Sequence, residues 1–161
     1  MSPSNRRHVI GLISDTHGLV RPDVFEAFAG VEVIFHAGDV GDGVLEELRT
    51  IAPVEAVFGN TDDPADPQLA QSIERTIGRV RIHVSHGHEV GSPTPERLLA
   101  KYDADVIVYG HTHQQKVVDA DGRLVVNPGA AGPRRFKLQP SVARLTIENA
   151  KAKVELRPLS G

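Results

Sequence analysis

VIGLISDTHG, residues 9–18, joins a continuous apolar run to a group of polar side chains. The uninterrupted run from Val9 to Ile13 is typical of a strand that is buried on both faces of a sheet. Asp15 and His17 follow it directly, where the carboxyl end of this strand is predicted. Because ligands of open α/β sheets bind beyond the carboxyl ends of the strands, the segment predicts both a sheet and the position of a site.

Helix and strand patterns alternate after this segment. Strands are predicted at Val33–Ala37 and Val54–Phe58. Two helices are also predicted. The first opens at Pro22 and Asp23, has Val24, Phe25 and Phe28 on one face and ends at Gly30. The second is capped by Asp42 and carries the apolar residues Val44, Leu45 and Leu48. This order predicts right-handed crossovers and a largely parallel sheet in the first part of the chain.

The remaining residues predict a second sheet. Residues 80–85 alternate between apolar and polar side chains, which predicts a strand near a sheet edge with His83 on its polar face. Further predicted elements are a helix at Pro93–Tyr102 with Leu98 and Leu99 inward, a buried strand at Val106–Tyr109, a hairpin at Lys116–Val126 about Asp121-Gly122, and antiparallel strands at Ser141–Ile147 and Val154–Leu156. Two packed sheets flanked by helices account for this pattern better than one doubly wound sheet. No linker or repeat divides residues 1–161, so we expect a single domain.

The composition is that of an ordinary globular protein, and it limits the classes of partner. The 161 residues are 40% hydrophobic and 24% charged, with a net charge of −3 and a pI near 6.2. A slightly acidic chain lacks the basic field that attracts polyanions, so no strong nucleic-acid signal is present. The chain has no cysteine, which excludes disulfides. It has no signal-peptide pattern and no apolar stretch long enough for a membrane span, so we expect no membrane association and a cytoplasmic location.

Five polar motifs each follow a predicted strand. They are Asp15-x-His17, Asp39, Asn60, His86 and His111-x-His113, four of them preceded directly by a small residue (Ser14, Gly38, Gly59 and Gly110). Singly, such residues are common in turns and on surfaces. Together they offer carboxylate, amide and imidazole ligands, which suit borderline divalent metals. Seven ligands exceed what one tetrahedral ion uses, so their shared position at strand ends predicts a two-metal centre and a hydrolase.

These motifs, with Asn127-Pro128-Gly129 further along, resemble the signature of the calcineurin-like metallophosphoesterases. The size and motif order are most similar to the small bacterial and archaeal phosphodiesterase branch, which also includes the retromer subunit of eukaryotes. The resemblance implies an α/β fold, a four-layer αββα sandwich of two mixed β-sheets flanked by helices. It also implies two metal sites, one formed by Asp15, His17, Asp39 and His113 and the other by Asp39, Asn60, His86 and His111.

The chemistry implied by the resemblance is hydrolysis of phosphate esters by a hydroxide that bridges two metal ions. Asp39, Asn60 and His86 would be the catalytic residues, with His88 as a further candidate. Manganese is the favoured metal, and nickel, iron, zinc and cobalt are alternatives, because oxygen and nitrogen ligands discriminate poorly among these ions. Many relatives carry histidine directly after Gly-Asn, whereas this chain has Thr61, a poor general acid. We therefore expect phosphodiesters, or esters with good leaving groups, as substrates.

Two alternative functions are compatible with the sequence. A phosphomonoesterase or protein phosphatase would use the same chemistry, although the short chain leaves little room for insertions that recognise a protein substrate. A scaffold similar to the retromer subunit would bind proteins and retain metal, although a scaffold could lose its metal ligands without cost. We expect a small phosphate ester as the substrate, and a homo-oligomer is compatible with the sequence.

Other polar residues have two interpretations each. Asp62 either orients a metal ligand or belongs to a loop turn. His88 is either the missing acid or a supporting or surface histidine. Arg134 and Arg135 either contact substrate phosphate or form a solvated pair. His36 lies in an apolar run, so we expect it to be buried and hydrogen-bonded.

Overall fold

The computed structural model describes residues 7–134 and 138–160. Their strands are β1 (His8–Ile13), β2 (Val33–His36), β3 (Val54–Val57), β4 (Leu69–Ala70), β5 (Ile73–Ile77), β6 (Val80–Val84), β7 (Val106–Val108), β8 (Lys116–Ala120), β9 (Arg123–Asn127), β10 (Ser141–Glu148) and β11 (Lys151–Pro158). The helices are α1 (Asp23–Ala27), α2 (Val44–Arg49) and α3 (Pro95–Lys101), with a 3-10 turn at His88–Val90. In this part of the chain, no helix has the length and apolar character needed to cross a membrane.

The strands form two mixed sheets. The first has the order β11-β10-β1-β2-β3-β4, in which β1 to β4 are parallel and β10 is antiparallel to both of its neighbours. The second has the order β5-β6-β7-β9-β8, in which β6, β7 and β9 are parallel and the two outer strands are antiparallel. The parallel strands of each sheet therefore end along one edge, where the following loops meet.

Three cores of buried apolar side chains separate four layers. One core lies between the two sheets, one between the first sheet and helices α1 and α2, and one between the second sheet and α3. Successive strand residues point to opposite faces, so Leu12 lies between the sheets and Ile13 under the helices. This arrangement confirms the αββα sandwich and the hairpin and strand predictions for the last third of the chain.

Strand β6 differs in part from the sequence-based expectation. The sequence does not predict β5, whose residues IERTI lack a clear apolar pattern, yet β5 pairs with β6 and occupies the edge position. On the face of β6 that bears Arg81 and His83, Arg81 is exposed, whereas His83 is 1% exposed and its ring stacks on Tyr102 with centroids 3.7 Å apart. The prediction of a strand near a sheet edge is confirmed, because β6 lies next to the edge strand β5. The burial of His83 was not predicted, because packing against neighbouring elements decides what covers each side chain.

Two details of the predicted helices are wrong. Phe25 is 44% exposed, because the buried face of α1 is formed by Val24 and Ala27, three residues apart. Asp42 does not cap α2, because that helix begins at Val44 and the capping position falls on Gly43, which has a φ of 80° and no side chain to accept a bond. The predicted inward face of α2 is confirmed, as Val44, Leu45 and Leu48 are buried.

Candidate metal centre

Seven side chains with potential metal-ligating atoms meet at the carboxyl ends of the parallel strands. The loop after β1 supplies Asp15 and His17, the loops after β2 and β3 supply Asp39 and Asn60, and the loops after β6 and β7 supply His86, His111 and His113. Both sheets thus contribute to one site. The structure brings together the residues that the sequence placed at strand ends.

Four of these residues form what we call the first ligand group: Asp15, His17, Asp39 and His113. One potential ligand atom from each lies within 4.8 Å of the others. The Nε2 atom of His113 is 3.4 Å from Oδ1 of Asp15, and Nε2 of His17 is 3.7 Å from Oδ2 of Asp39. Atoms of this kind at these separations could surround a single divalent cation.

The second ligand group consists of Asp39, Asn60, His86 and His111. The carboxamide oxygen of Asn60 lies 3.0 Å from Nε2 of His86 and 3.1 Å from Nδ1 of His111. The same His86 nitrogen is 3.4 Å from Oδ2 of Asp39. The two groups therefore adjoin each other and share Asp39.

The two carboxylate oxygens of Asp39 have different surroundings. Oδ1 accepts a hydrogen bond from the backbone N–H of Thr61 at 3.0 Å, whereas Oδ2 faces both His17 and His86. Although burial acts in the opposite direction, the nearby His86 ring and the hydrogen bond from the Thr61 backbone N–H hold the pKa of Asp39 well below its usual range. Asp39 is therefore an anion whose Oδ2 is directed at both ligand groups.

Asp15 shows that a cation fits this site. The side chain is fully buried, and Oδ2 accepts hydrogen bonds from the Ser14 hydroxyl at 2.6 Å and the His111 backbone N–H at 3.2 Å. Oδ1 has no hydrogen-bond partner among the described residues. Burial raises the pKa of Asp15 to about 7, because the ionised form is poorly solvated there. A buried carboxylate oxygen facing imidazole nitrogens has the surroundings of a metal ligand.

The ring orientation of His86 supports the same conclusion. Its Nδ1 lies 2.8 Å from the backbone carbonyl of Ala37, which can only accept, so Nδ1 carries a proton and donates it. Nε2 then points into the site toward the oxygens of Asp39 and Asn60. Metal-binding histidines are commonly held by such a bond from the second ring nitrogen, which fixes both the tautomer and the ring.

The backbone is unusual at five of the ligands. Asp15, His17, Asp39, His111 and His113 have φ values between 46° and 72°. Among the described residues, the other non-glycine residues with positive φ lie in the turns of the hairpins: Arg79, Asp121, Asn149 and Ala150. A left-handed conformation outside such turns costs about 1–3 kcal/mol per residue and is concentrated at functional sites. The loops are therefore shaped for the ligands at the expense of stability.

The glycines that precede the ligands make this close approach possible. A Cβ atom on Gly59 would lie 2.1 Å from Oδ1 of Asp39, and one on Gly38 would lie 2.6 Å from Nδ1 of His86. A Cβ atom on Gly110 would lie 2.0 Å from the Ser14 hydroxyl oxygen and 2.6 Å from Oδ2 of Asp15. The small residues noted in the sequence thus leave room for ligands from neighbouring loops.

We predict that Gly110→Ala will weaken manganese binding roughly 10- to 100-fold, the range seen when groups that support a metal ligand are altered. The added methyl group would displace Asp15, and isothermal titration would measure the affinity. Gly43→Ala is the control: its φ is 80°, but apart from its own chain neighbours no atom of the described residues lies within 4 Å of its Cβ position. Equal affinities for the two variants would contradict the role given to Gly110.

His36 and Thr16 form a chain of hydrogen bonds behind the ligands, and the sequence predicted only part of it. The expectation that His36 is buried is confirmed: Gly38 N–H donates to its Nδ1, and its Nε2 lies 2.9 Å from the Thr16 hydroxyl. Thr16 in turn donates to the carbonyl of Val40 at 2.6 Å. Burial lowers the pKa of His36 to about 3, so the ring is neutral. The apolar run predicted the buried histidine, but nothing in it predicted Thr16 as the partner.

A cavity of about 260 Å³ opens over the two ligand groups, lined also by Thr61, Thr112 and Leu138. The sequence gives no signal for Leu138, and Thr112 lies between two ligands without being one. His88 lies beside the second ligand group, its ring centroid 5.3 Å from that of His86. Arg134 is exposed and lines a small depression next to His113, whereas Arg135 lies outside the described residues.

Comparison with known proteins identifies relatives over almost the whole chain. Residues 9–150 match the family model described as the calcineurin-like phosphoesterase superfamily domain. A probable metallophosphoesterase from Methanothermobacter thermautotrophicus is 36% identical over 157 residues, which cover 92% of this chain and 91% of the relative. A protein from Methanocaldococcus jannaschii named as a phosphodiesterase is 30% identical over 139 residues, which cover 74% of this chain and 82% of the relative.

The fold is also shared with a solved structure. Vacuolar protein sorting 29 from Cryptosporidium parvum superimposes with a TM-score of 0.78, covering 96% of this chain and 99% of the other at 22% identity. At this level of identity, the similarity establishes the common two-sheet architecture.

Proposed function

The chain belongs to the calcineurin-like phosphoesterase superfamily, and from this premise we propose that it is a dinuclear metal-dependent phosphodiesterase acting on small phosphate esters. The first ligand group would hold one divalent cation and the second ligand group the other. Manganese is the proposed metal, and nickel, iron, zinc and cobalt ions have similar ligand preferences. We further propose that residues 1–161 act as a single domain in the cytoplasm.

The position of Asp39 is the observation that supports two cations rather than one. Its Oδ2 atom lies 3.7 Å from Nε2 of His17 and 3.4 Å from Nε2 of His86, and these two rings belong to different ligand groups. A single tetrahedral ion would leave Asn60, His86 and His111 without a role. A shared carboxylate is the feature that a two-metal hydrolase needs.

The side chains of the site have separable tasks in this proposal. Two bound cations would provide a hydroxide from water near neutral pH and offset the negative charge of the phosphoryl oxygens. Asp15 and Asp39 supply the negative charge that attracts these cations. The Nδ1–H bond of His86 to Ala37 keeps its Nε2 directed inward, and Asn60 adds a neutral oxygen beside it. No serine or cysteine nucleophile is needed.

Two facts support a phosphodiester as the substrate. Thr61 lines the cavity over the ligand groups, and its hydroxyl is a poor acid for protonating an alkoxide leaving group. The relative from M. jannaschii is named as a phosphodiesterase. A diester with one good leaving group would not need an acid, whereas an alkyl monoester would. His88 stays a candidate for that acid because it lies beside the second ligand group.

The similarity to vacuolar protein sorting 29 makes a metal-retaining protein scaffold the second candidate. The site favours the enzyme, because a scaffold does not require five ligands in a left-handed conformation around a fully buried carboxylate. A phosphomonoesterase or protein phosphatase would share the metal centre and differ in substrate. The substrate range therefore distinguishes the candidates.

The proposal is tested by loading the metal-free protein with manganese, nickel, iron, zinc or cobalt ions and measuring hydrolysis of aryl diesters, cyclic nucleotides and alkyl and aryl monoesters. We expect two bound metal ions per chain and hydrolysis of the diesters. Removal of the metal ions by a chelator should abolish this hydrolysis. Comparable rates for an alkyl monoester and an aryl diester would contradict the diester preference. Background rates for every ester, with metal bound, would favour the scaffold.

A further inference from the structure

Three of the loops that form the two ligand groups are hydrogen-bonded to one another, and one side chain connects two of them. We refer to residues 14–18 as the Asp15 loop, residues 37–43 as the Asp39 loop and residues 58–62 as the Asn60 loop. The Asp62 carboxylate accepts hydrogen bonds from the backbone N–H groups of Val40 at 3.0 Å, Gly41 at 3.3 Å and Gly59 at 2.9 Å. Two of these donors belong to the Asp39 loop and one to the Asn60 loop.

These bonds surround the ligands themselves. Val40 and Gly41 directly follow Asp39, and Gly59 directly precedes Asn60. A reciprocal bond runs from the Thr61 backbone N–H to Oδ1 of Asp39 at 3.0 Å. A loop turn requires only the bond from Asp62 N–H to the Gly59 carbonyl, 3.3 Å long. The side chain therefore does more than close its own turn, since it fixes the distance between two metal ligands.

The Asp15 loop is attached to the Asp39 loop in a different way. The backbone N–H groups of Asp15, His17 and Gly18 donate to the carbonyls of Gly38, Asp39 and Val40 at 2.9 to 3.0 Å. These bonds do not involve Asp62. The first ligand group thus has its own backbone attachment to Asp39, whereas Asn60 is positioned against Asp39 through Asp62 and Thr61.

From this difference we infer that Asp62 is a positioning residue for the second ligand group, holding Asn60 in register with Asp39 so that the second cation binds. The inference rests on the proposed two-metal function and identifies what assembles the second half of the site. Loss of the carboxylate should weaken binding at the second ligand group selectively. The first ligand group should keep its affinity, because its backbone attachment remains.

Asp62→Asn tests this inference, with Asp63→Asn as the matched control. The carboxylate accepts hydrogen bonds through both of its oxygens. A carboxamide has only one oxygen, and its NH2 group is itself a donor that cannot accept a bond from a backbone N–H group. Asp63 is the next residue in the chain, and among the described residues its side chain accepts a hydrogen bond only from the nearby Ala65 N–H, at 2.9 Å. Both variants undergo the same chemical change in the segment between β3 and β4. Stepwise manganese affinities are measured by titration, and electron paramagnetic resonance reports whether two manganese ions are magnetically coupled.

We expect wild type and Asp63→Asn to bind two coupled ions. Asp62→Asn should bind the first with unchanged affinity and the second roughly 10- to 100-fold more weakly, with an uncoupled signal at two equivalents. Unchanged affinity for the second ion in Asp62→Asn would overturn the inference. Equal loss of affinity for the two ions would also overturn it and would indicate a general structural role of Asp62. A wild type that binds two ions but hydrolyses no ester would overturn the proposed function alone, and one that binds a single ion would overturn both.

Discussion

Replacement of Asp39 by asparagine is expected to reduce kcat/KM of the manganese-loaded protein for an aryl phosphodiester more than about 100-fold. Groups that only support a metal ligand already contribute roughly 10- to 100-fold to affinity or activity, and Asp39 is the side chain directed at both ligand groups. Asparagine lacks the negative charge that Oδ2 presents to His17 and His86. We therefore also expect the number of bound manganese ions to fall from two to one or none.

Asp42→Asn is the matched control for this experiment. Asp42 lies three residues further along the same loop and is exposed. It should keep two ions and wild-type activity, as expected for a surface substitution. Metal analysis of both gel-filtered variants and initial rates over a range of substrate concentrations provide the comparison. Two tightly bound ions and normal turnover in Asp39→Asn would contradict the shared-ligand arrangement.

The position of the site could be predicted from the sequence because it depends on one simple feature of the fold. Parallel strands end along a common edge, so polar residues directly after apolar runs are brought together whatever the details of the loops. Asp15, Asp39 and His86 illustrate this, each following the end of a parallel strand. The two-sheet architecture follows similarly from apolar alternation, which assigns Leu12 and Ile13 to different cores.

Features that depend on packing between distant segments could not be predicted in this way. Strand β5 exists because it pairs with β6, and its own residues carry little strand signal. His83 is buried because Tyr102, from beyond α3, stacks on it. The bonds of Asp62 to Val40 and Gly59 require two loops to meet, so sequence left its role open between a turn and a positioning residue. Local pattern predicts elements, whereas these contacts depend on tertiary structure.

Thr61→His is expected to increase hydrolysis of an unactivated alkyl phosphomonoester at least about 10-fold. The family resemblance described above implies a histidine at this position in many relatives, and a positioned general acid typically contributes about 10²- to 10⁴-fold. Thr61 is exposed and lines the cavity over the ligand groups, so an imidazole there would face the space in which we propose that the substrate binds. The bond from residue 61 to Oδ1 of Asp39 uses the backbone N–H, so the substitution would leave it in place.

The leaving group distinguishes this explanation from a general improvement of the site. A nitrophenolate departs without protonation, so Thr61→His should change the rate of an aryl diester by less than about twofold while raising that of the alkyl monoester. Thr61→Gln is the control, because glutamine is polar and of similar size to histidine but cannot transfer a proton. Steady-state kinetics of wild type and both variants with both esters give the six rates required. An equal increase in the alkyl monoester rate in Thr61→Gln, or an equal increase in the rates of both esters in Thr61→His, would contradict acid catalysis by residue 61. The diester preference would then have a cause other than the missing histidine.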